Sequence, residues 1–345
     1  MHVVESYEGG VEVAIKSYIE NSPPHIEHCL LYGLRPYRVY EDWAVSSELL
    51  SLSLSKNPIK SYFSIRKHYR KWRPDIVHLH SSYAGLVGRL TMIPRRKILY
   101  SPHGYAFQRT DVNAVLRTCY LLIEYLLSLR CKATVVCGFG EQKLAESLLN
   151  KTVICAPNFA SIAQDQKPFQ DKTFDLVMAG RLTPSKDPCF FIETVKALSK
   201  KPDLKVLWIG DGDQDQVARL KKHGIELTGW VSGDEVINYL SRANVYFHSA
   251  AWEGNPISVL EAAELGLPIL VRDITAFCDL PSDSKASSPK HAAQLIIDHL
   301  DGQTDKLFNV RDQINANNTQ LMQSEALAKA YRYPSDFGSD LIFYE

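Results

Sequence analysis

Short runs of consecutive apolar residues alternate along the chain with longer stretches whose apolar positions recur at helical spacing. In the first half the runs fall at residues 3–6, 26–32, 76–80, 97–101, 133–137 and 152–156. Helical stretches at 11–20, 83–92, 114–129 and 141–149 separate most of them. Strands that are apolar on both faces belong to parallel sheets covered by helices on both sides. Polar, proline-containing sequence at 158–173 interrupts the rhythm and predicts a linker. The alternation then restarts, with strands predicted at 174–179, 205–210, 225–228, 245–248 and 268–271 and helices at 188–198, 214–222, 233–240 and 257–265. After Asp273 the pattern blurs. Residues 279–290 read as a loop, and helices over 291–300, 305–316 and 321–331 finish the chain. The expected architecture is α/β: two doubly wound, Rossmann-like domains, 1–157 and 174–345, with the last helix a candidate to return to the first domain. An interdomain cleft between facing strand ends is where ligands of such sheets bind.

Bulk properties narrow this further. A chain of 345 residues exceeds one ordinary core, and 45% hydrophobic with 23% charged residues is a globular composition. No uninterrupted apolar run reaches bilayer length. The sequence opens on His2-Val-Val-Glu-Ser6 without a basic-plus-apolar leader. The seven cysteines form no CxxC pair and read as reduced thiols. Together these predict a cytoplasmic protein. Residues 1–170 hold 21 Lys/Arg against 14 Asp/Glu, and the remainder holds 18 against 25, so the two halves face different partners.

The most informative chemistry lies in Trp252-Glu-Gly-Asn-Pro-Ile-Ser-Val-Leu-Glu-Ala-Ala-Glu-Leu-Gly-Leu-Pro-Ile-Leu270. Pro256 suits a first helical turn, where its missing N–H has no intrahelical partner. Glu253 then lies on the loop feeding the helix and Glu261 inside it. The free amides of the segment Asn255-Pro256-Ile257-Ser258 face whatever sits before the helix, an end that favours anions. Two glutamates near an amphipathic helix are usually a solvated face. The flanking Val259, Leu260, Ala262 and Ala263 argue otherwise, because carboxylates rarely sit on so apolar an element without partners.

Other motifs are weaker singly. Tyr7-Glu-Gly9-Gly10-Val11 follows the first strand and opens a helix, so its amides could approach a phosphate, though Gly-Gly also makes a plain tight turn. Gly180-Arg181-Leu-Thr-Pro-Ser-Lys186-Asp187 ends the second half's first strand. Arg181 and Lys186 there would neutralise a diphosphate, or else be two surface bases on a solvated turn. His103, in Ser101-Pro-His-Gly104, is a candidate donor to a substrate or to transition-state charge, although most lone histidines are structural. Asp211-Gly-Asp213 has the form of a metal-binding pair, but follows a strand of an α/β domain and reads as a loop. Residues 61–73 place Tyr62, Ile65, Tyr69 and Trp72 at helical spacing among Arg66, Lys67, Arg70, Lys71 and Arg73. That is a helix able to lie peripherally on an anionic membrane, or simply one packing its aromatics inward. No nucleic-acid-binding module surrounds the basic stretch.

In order and spacing these residues resemble the family 4 retaining glycosyltransferases, which have the GT-B fold. The likeness runs from Gly9-Gly10 through His103, Gly180-Arg181 with Lys186, and Gly210-Asp-Gly212 to the Glu253/Glu261 pair. It implies that Arg181 and Lys186 hold the donor diphosphate, with Gly10 approaching it by its amide. Glu261 would take the ribose hydroxyls, Glu253 and the following amides would orient the donor sugar, and His103 would contact the sugar near the reacting carbon. It implies no metal and no cofactor: a nucleotide-diphosphate sugar is the substrate, and a saccharide or lipid-linked acceptor, as in bacterial O-antigen-like polysaccharides, receives the sugar. A nucleotide-sugar epimerase and a non-catalytic nucleotide-sugar-binding subunit are the alternatives. The sequence departs from the family at Asn255, commonly apolar or aromatic, and at Phe159, commonly glycine.

Overall fold

The computed structural model describes residues 1–33, 57–148, 152–162, 172–198, 201 and 203–332. Most of the expected linker (163–171) and the last residues (333–345) lie outside the described residues. The chain forms two compact units. One comprises Met1–Phe107, Thr118–Ala156 and Gln320–Glu345; the other comprises Gln108–Arg117 and Pro157–Thr319.

The first unit is built on six parallel strands: β1 (His2–Val4), β2 (Leu30–Tyr32), β3 (Val77–His80), β4 (Ile98–Ser101), β5 (Ala133–Val136) and β6 (Val153–Cys155). Their order is β2-β1-β3-β4-β5-β6. Helices α1 (Gly9–Glu20), α2 (Pro58–Trp72), α3 (Ser81–Leu90), α4 (Ala114–Leu127) and α5 (Phe139–Glu146) connect the strands. Val3, sandwiched in register between Leu31 and Leu79, is fully buried with both partners, as the apolar runs require.

Helix α2 starts where Asn57 accepts bonds from the amides of Ile59 and Lys60 at 3.0 and 3.3 Å, with Pro58 at the first position. It ends at Arg73, which is left-handed with φ 47°. The aromatic side chains expected at a membrane turn the other way. Tyr62, Tyr69 and Trp72 pack around buried Ile65 against the core of the unit. The water-facing side instead carries Ile59 and Phe63 among Lys60, Lys67, Arg70 and Lys71. An aromatic stripe satisfies its large apolar area best against an available core, which leaves the charges outside.

The second unit repeats the scheme with β7 (Phe174–Ala179), β8 (Val206–Ile209), β9 (Glu226–Leu227), β10 (Ala243–His248), β11 (Ile269–Arg272) and β12 (Lys285–Ala286), ordered β12-β11-β10-β7-β8-β9 and parallel throughout. Its helices are α6 (Pro188–Ala197), α7 (Gln214–Lys222), α8 (Gly233–Ser241), α9 (Ile257–Glu264), α10 (Pro289–Leu300) and α11 (Lys306–Asn317). Apolar cores cover both faces of the sheet, one including Val177, Tyr246 and Leu260, the other Trp208, Phe247 and Ile296. The strand β12 falls inside the stretch expected to be a loop. It is a two-residue edge strand whose Lys285 is buried, its ammonium donating to the Phe277 carbonyl at 3.2 Å and pairing with Asp273 at 2.9 Å. So short and polar an edge has no apolar run to announce it.

The final helix, α12 (Gln320–Tyr331), belongs to the first unit rather than to the C-terminal half that precedes it. Leu327 and Ala330 are fully buried against Leu99, Ala133, Val135 and Ile154, and Ser17 donates to Gln323 at 2.7 Å. Among the described residues no helix is long and apolar enough to cross a membrane.

Candidate functional site

In the second unit, the ends of β7 and β8 are forced together by small residues. Gly210 has φ 142°, and a methyl group there would stand 2.2 Å from the Gly180 carbonyl oxygen, so only glycine fits. Gly180 itself has φ 149° and packs directly beneath the Lys186 side chain. The indole of Trp208 donates to the Gly180 carbonyl at 2.8 Å, and Leu182 bridges Gly212.

This close approach launches the turn that carries Arg181 and Lys186. Arg181 is exposed, whereas Lys186 is largely covered. Asp187, left-handed with φ 46°, caps α6 by accepting from the Phe190 amide at 3.1 Å. Its other oxygen accepts from Arg272 at 2.6 Å, and the Arg272 guanidinium lies 4.1 Å over the Phe190 ring. Asp187 and Arg272 therefore fix the turn presenting Lys186. Sequence reasoning missed both; an aspartate directly before the helix-opening Pro188 is the signal that could have found the cap.

The loop after β10 is fastened to the same turn. Ser249 donates to the Lys186 carbonyl at 2.8 Å and the Ala251 amide to the Ser185 carbonyl at 2.8 Å. Glu253 consequently meets the Lys186 ammonium in an ion pair, with the His248 ring nitrogen 3.5 Å away. Burial opposes ionisation of Glu253, but Lys186 and His248 outweigh it and hold its pKa at about 2. Burial, and then the charge of Lys186, lower the pKa of His248, although its bond to Glu253 pulls the other way. Behind His248, the Tyr246 hydroxyl donates to Ser258 at 2.8 Å and lies 3.1 Å from the His248 Nδ1.

Helix α9 begins at Ile257 with Pro256 as its N-cap, one position earlier than a first-turn proline, and no side chain caps it. Asn255 is pinned: its carbonyl accepts from Asn158 at 2.9 Å and its side-chain amide donates to Asn318 at 2.7 Å. Its amide group thus serves a contact with Asn318, a partner that sequence spacing did not suggest. Glu261 is half-buried and has no ion-pair partner among the described residues. Desolvation raises its pKa to about 7. A partly buried carboxylate with a raised pKa on an apolar helix is a candidate functional position.

Asp211 and Asp213 are used locally. Asp211 accepts from the Gly212 amide at 2.8 Å, and Asp213 caps α7 by accepting from the Gln216 amide at 2.9 Å.

In the first unit, α1 opens at Gly9, with φ 60°, and Gly10 follows in its first turn. His103 lies two residues past the end of β4 with φ 50°, in the left-handed region that costs a non-glycine residue strain. Glu141 on α5 holds this turn, accepting from the amides of Gly104 at 2.6 Å and Cys137 at 2.9 Å. His103 does not stand alone: its Nε2 lies 3.0 Å from Nδ1 of His80, one of four further histidines gathered at the sheet. Those histidines went unnoticed in the sequence, yet Val77-His-Leu-His80 has the two-residue period that puts both rings on one face of a strand. His2, His78 and His80 have ring nitrogens within 4.8 Å of one another, the spacing of a metal site. All six of their ring nitrogens are already hydrogen-bonded, to one another, His28, His103, Ser101 and Tyr331. A neutral ring has one lone pair, and here it is already spent in these bonds, so a cation would have to break them to find a ligand.

Residues 21–148 match the Glycosyl transferase 4-like domain, and residues 173–301 match Glycosyl transferases group 1. The chain is 29% identical over 254 residues to the UDP-Gal:alpha-D-GlcNAc-diphosphoundecaprenol alpha-1,3-galactosyltransferase of Escherichia coli, covering 65% of this chain and 64% of that relative's length. Among solved structures, the fold is similar to that of a sucrose-phosphate synthase from Thermosynechococcus elongatus, with a TM-score of 0.73, 15% identity and coverage of 98% and 99% of the two chains. It is also similar to Anabaena HepE in complex with UDP and glucose, with a TM-score of 0.71, 14% identity and coverage of 96% and 99%. With two parallel-sheet Rossmann-like units and both domain matches, the chain belongs to the family 4 glycosyltransferases of GT-B fold.

Proposed function

We propose that the protein moves a sugar from a nucleotide-diphosphate donor to a hydroxyl of a saccharide carried on a lipid, in bacterial surface-polysaccharide synthesis, with the anomeric configuration retained and without a metal. The observation that carries this reading is the assembly at the start of α9: Lys186 paired to Glu253, an uncapped helix end, and an uncompensated Glu261 one and a half turns along. Lys186 and Arg181 serve the diphosphate, and the helix end adds its partial positive charge. Glu261 accepts from the ribose hydroxyls, Glu253 orients the sugar, and His103 donates near the reacting carbon.

In the step itself, the bond from the anomeric carbon to the diphosphate oxygen breaks. The acceptor oxygen bonds to the same face of that carbon, and its proton passes to the departing phosphate oxygen. The protein positions the reactants and stabilises the leaving charge. The E. coli relative, named for an acceptor on diphosphoundecaprenol, supports a lipid-carried acceptor. The surface of the first unit supports it too. Leu122 and Leu126 of α4 are 55% and 63% exposed, and the buried Arg89–Glu124 pair at 2.8 Å ties α4 to the end of α3, beside exposed Leu90 and Met92. The basic outer face of α2, with Ile59 and Phe63, suits an anionic membrane surface.

The test is transfer from a panel of nucleotide-diphosphate sugars to lipid-diphosphate-linked saccharides, with chelator present and product configuration read by NMR. Retained-configuration product is expected. Conversion of donor without acceptor would make the protein an epimerase, and donor binding without turnover a non-catalytic subunit.

A further inference from the structure

Four imidazoles in the first unit form one continuous hydrogen-bonded line. His28 Nδ1 lies 2.9 Å from His2 Nε2, His2 Nδ1 lies 2.9 Å from His80 Nε2, and His80 Nδ1 lies 3.0 Å from His103 Nε2. The register of β1 against β3 builds it: His2 pairs with His78, and Val4 with His80, so His2 faces the ring two residues along the neighbouring strand. His2 and His80 are stacked at 5.2 Å and His80 and His103 at 5.3 Å, and the Tyr18 ring covers the line from one side. Burial lowers the pKa of every ring in it, to about 4 for His28 and His103.

A neutral imidazole carries one N–H and one lone pair. In a line of N–H···N bonds each ring must therefore accept at one nitrogen and donate from the other, and one ring's choice dictates the next. We propose that His28, His2 and His80 are positioning residues that set the tautomer of His103, and so decide whether its outward nitrogen, Nδ1, donates or accepts. This rests on the reading of His103 as the histidine that donates to the sugar. For Nδ1 to donate, Nε2 must accept from His80, which then accepts from His2, which accepts from His28. All four rings are then Nδ1–H. His103 Nδ1 makes no hydrogen bond among the described residues and His103 is partly exposed, so that proton is available to a ligand.

His78 supplies an internal contrast. The Ser101 hydroxyl spends its proton on the Val135 carbonyl at 2.6 Å, so it accepts from His78 Nε2 at 2.8 Å, while His78 Nδ1 faces the Tyr331 hydroxyl at 2.9 Å. His78 is therefore Nε2–H, although its ring is only 4.2 Å from that of His80.

Ring nitrogen-15 NMR of the full chain reads tautomers directly, with signals assigned by single His→Gln variants. The expected result is Nδ1–H at His28, His2, His80 and His103, Nε2–H at His78, and nitrogen–nitrogen couplings along the line. Position 28 is the half-buried end and gives the safest variants. His28→Phe should leave His103 in mixed tautomers and lower kcat about tenfold, the scale of losing an orienting partner, with KM for the donor unchanged. His28→Gln, whose amide can still donate to His2, should restore both. Mixed tautomers of His103 in the unaltered protein, or a single tautomer surviving in His28→Phe, would overturn the relay. Four Nε2–H rings, or full turnover by His103→Gln when the unaltered protein shows the four Nδ1–H rings, would keep the line and remove His103's assigned role.

Discussion

The ammonium of Lys186 and the carboxylate of Glu253 form an ion pair that ties the turn after β7 to the loop before α9, across 67 residues of sequence. The pair preloads a cation at the open end of a helix and keeps Glu253 ionised at every physiological pH. An arriving diphosphate would meet a cation already held in place.

Removing that cation separates function from folding. Lys186→Ala should lose about a hundredfold or more in turnover, the scale of deleting one preorganised charge, while circular dichroism stays that of the parent. A linked effect on stability has a definite sign. The folded-state pKa of Glu253 is depressed to about 2, so its contribution is present above the usual carboxylate range and is lost as pH falls through about 2. The stability gap between parent and variant should therefore be present at neutral pH and shrink below about pH 4.5, as urea melts across pH would show. Parent-like turnover in the variant would contradict the diphosphate assignment.

Glu261 gives the opposite sign. Desolvation raises its pKa to about 7, so folding favours its protonated form, and the associated stabilisation is lost as pH rises through that value. If ribose hydroxyls need the carboxylate, donor affinity should increase between pH 6 and 8 by up to about tenfold, following the competent fraction. A nucleotide-diphosphate sugar suits the titration because its own phosphates do not ionise there. Glu261→Gln should bind weakly with a flat profile; a flat profile in the parent would remove Glu261 from the donor site.

Two glycines should respond differently to a methyl group. Gly210→Ala forces a clash at 2.2 Å with the Gly180 carbonyl, at φ 142°, and should cost about 3 kcal/mol or more while weakening donor binding. Gly224→Ala meets nothing within 4 Å at φ 72° and should cost about 1 kcal/mol. Equal losses in thermal melts would show that the β7–β8 loop contact is not what positions the turn.

For the membrane surface, flotation with anionic vesicles should capture the protein at low salt and release it at high salt. Replacing Lys60, Lys67, Arg70 and Lys71 with glutamine should abolish capture, since these residues face water beside Ile59 and Phe63. Replacing Trp72, which packs inward, should reduce stability rather than capture. Capture independent of these lysines and arginines would end the proposal for α2.

Much of the fold was legible before any coordinates. Buried parallel strands are nearly continuous apolar runs, so β7 and α7 fall where periodicity put them, and most other elements shift by one or a few residues. The segment around α9 announced itself because glutamates on an apolar helix need a reason. What stayed hidden depended on contacts distant in sequence. Nothing local says that Arg272 holds Asp187, that Asn255 reaches Asn318, or that Trp72 turns inward. The histidine line needed the β1–β3 register, which no single strand specifies.

The central claim, that the second unit grips a nucleotide-diphosphate sugar around Lys186 and Glu261, is tested most directly by calorimetric titration of a panel of such donors into the parent, Lys186→Ala and Glu261→Gln. Saturable binding of at least one donor, lost or weakened tenfold or more in both variants, is the predicted result. Binding of that donor with parent affinity by both variants would contradict it.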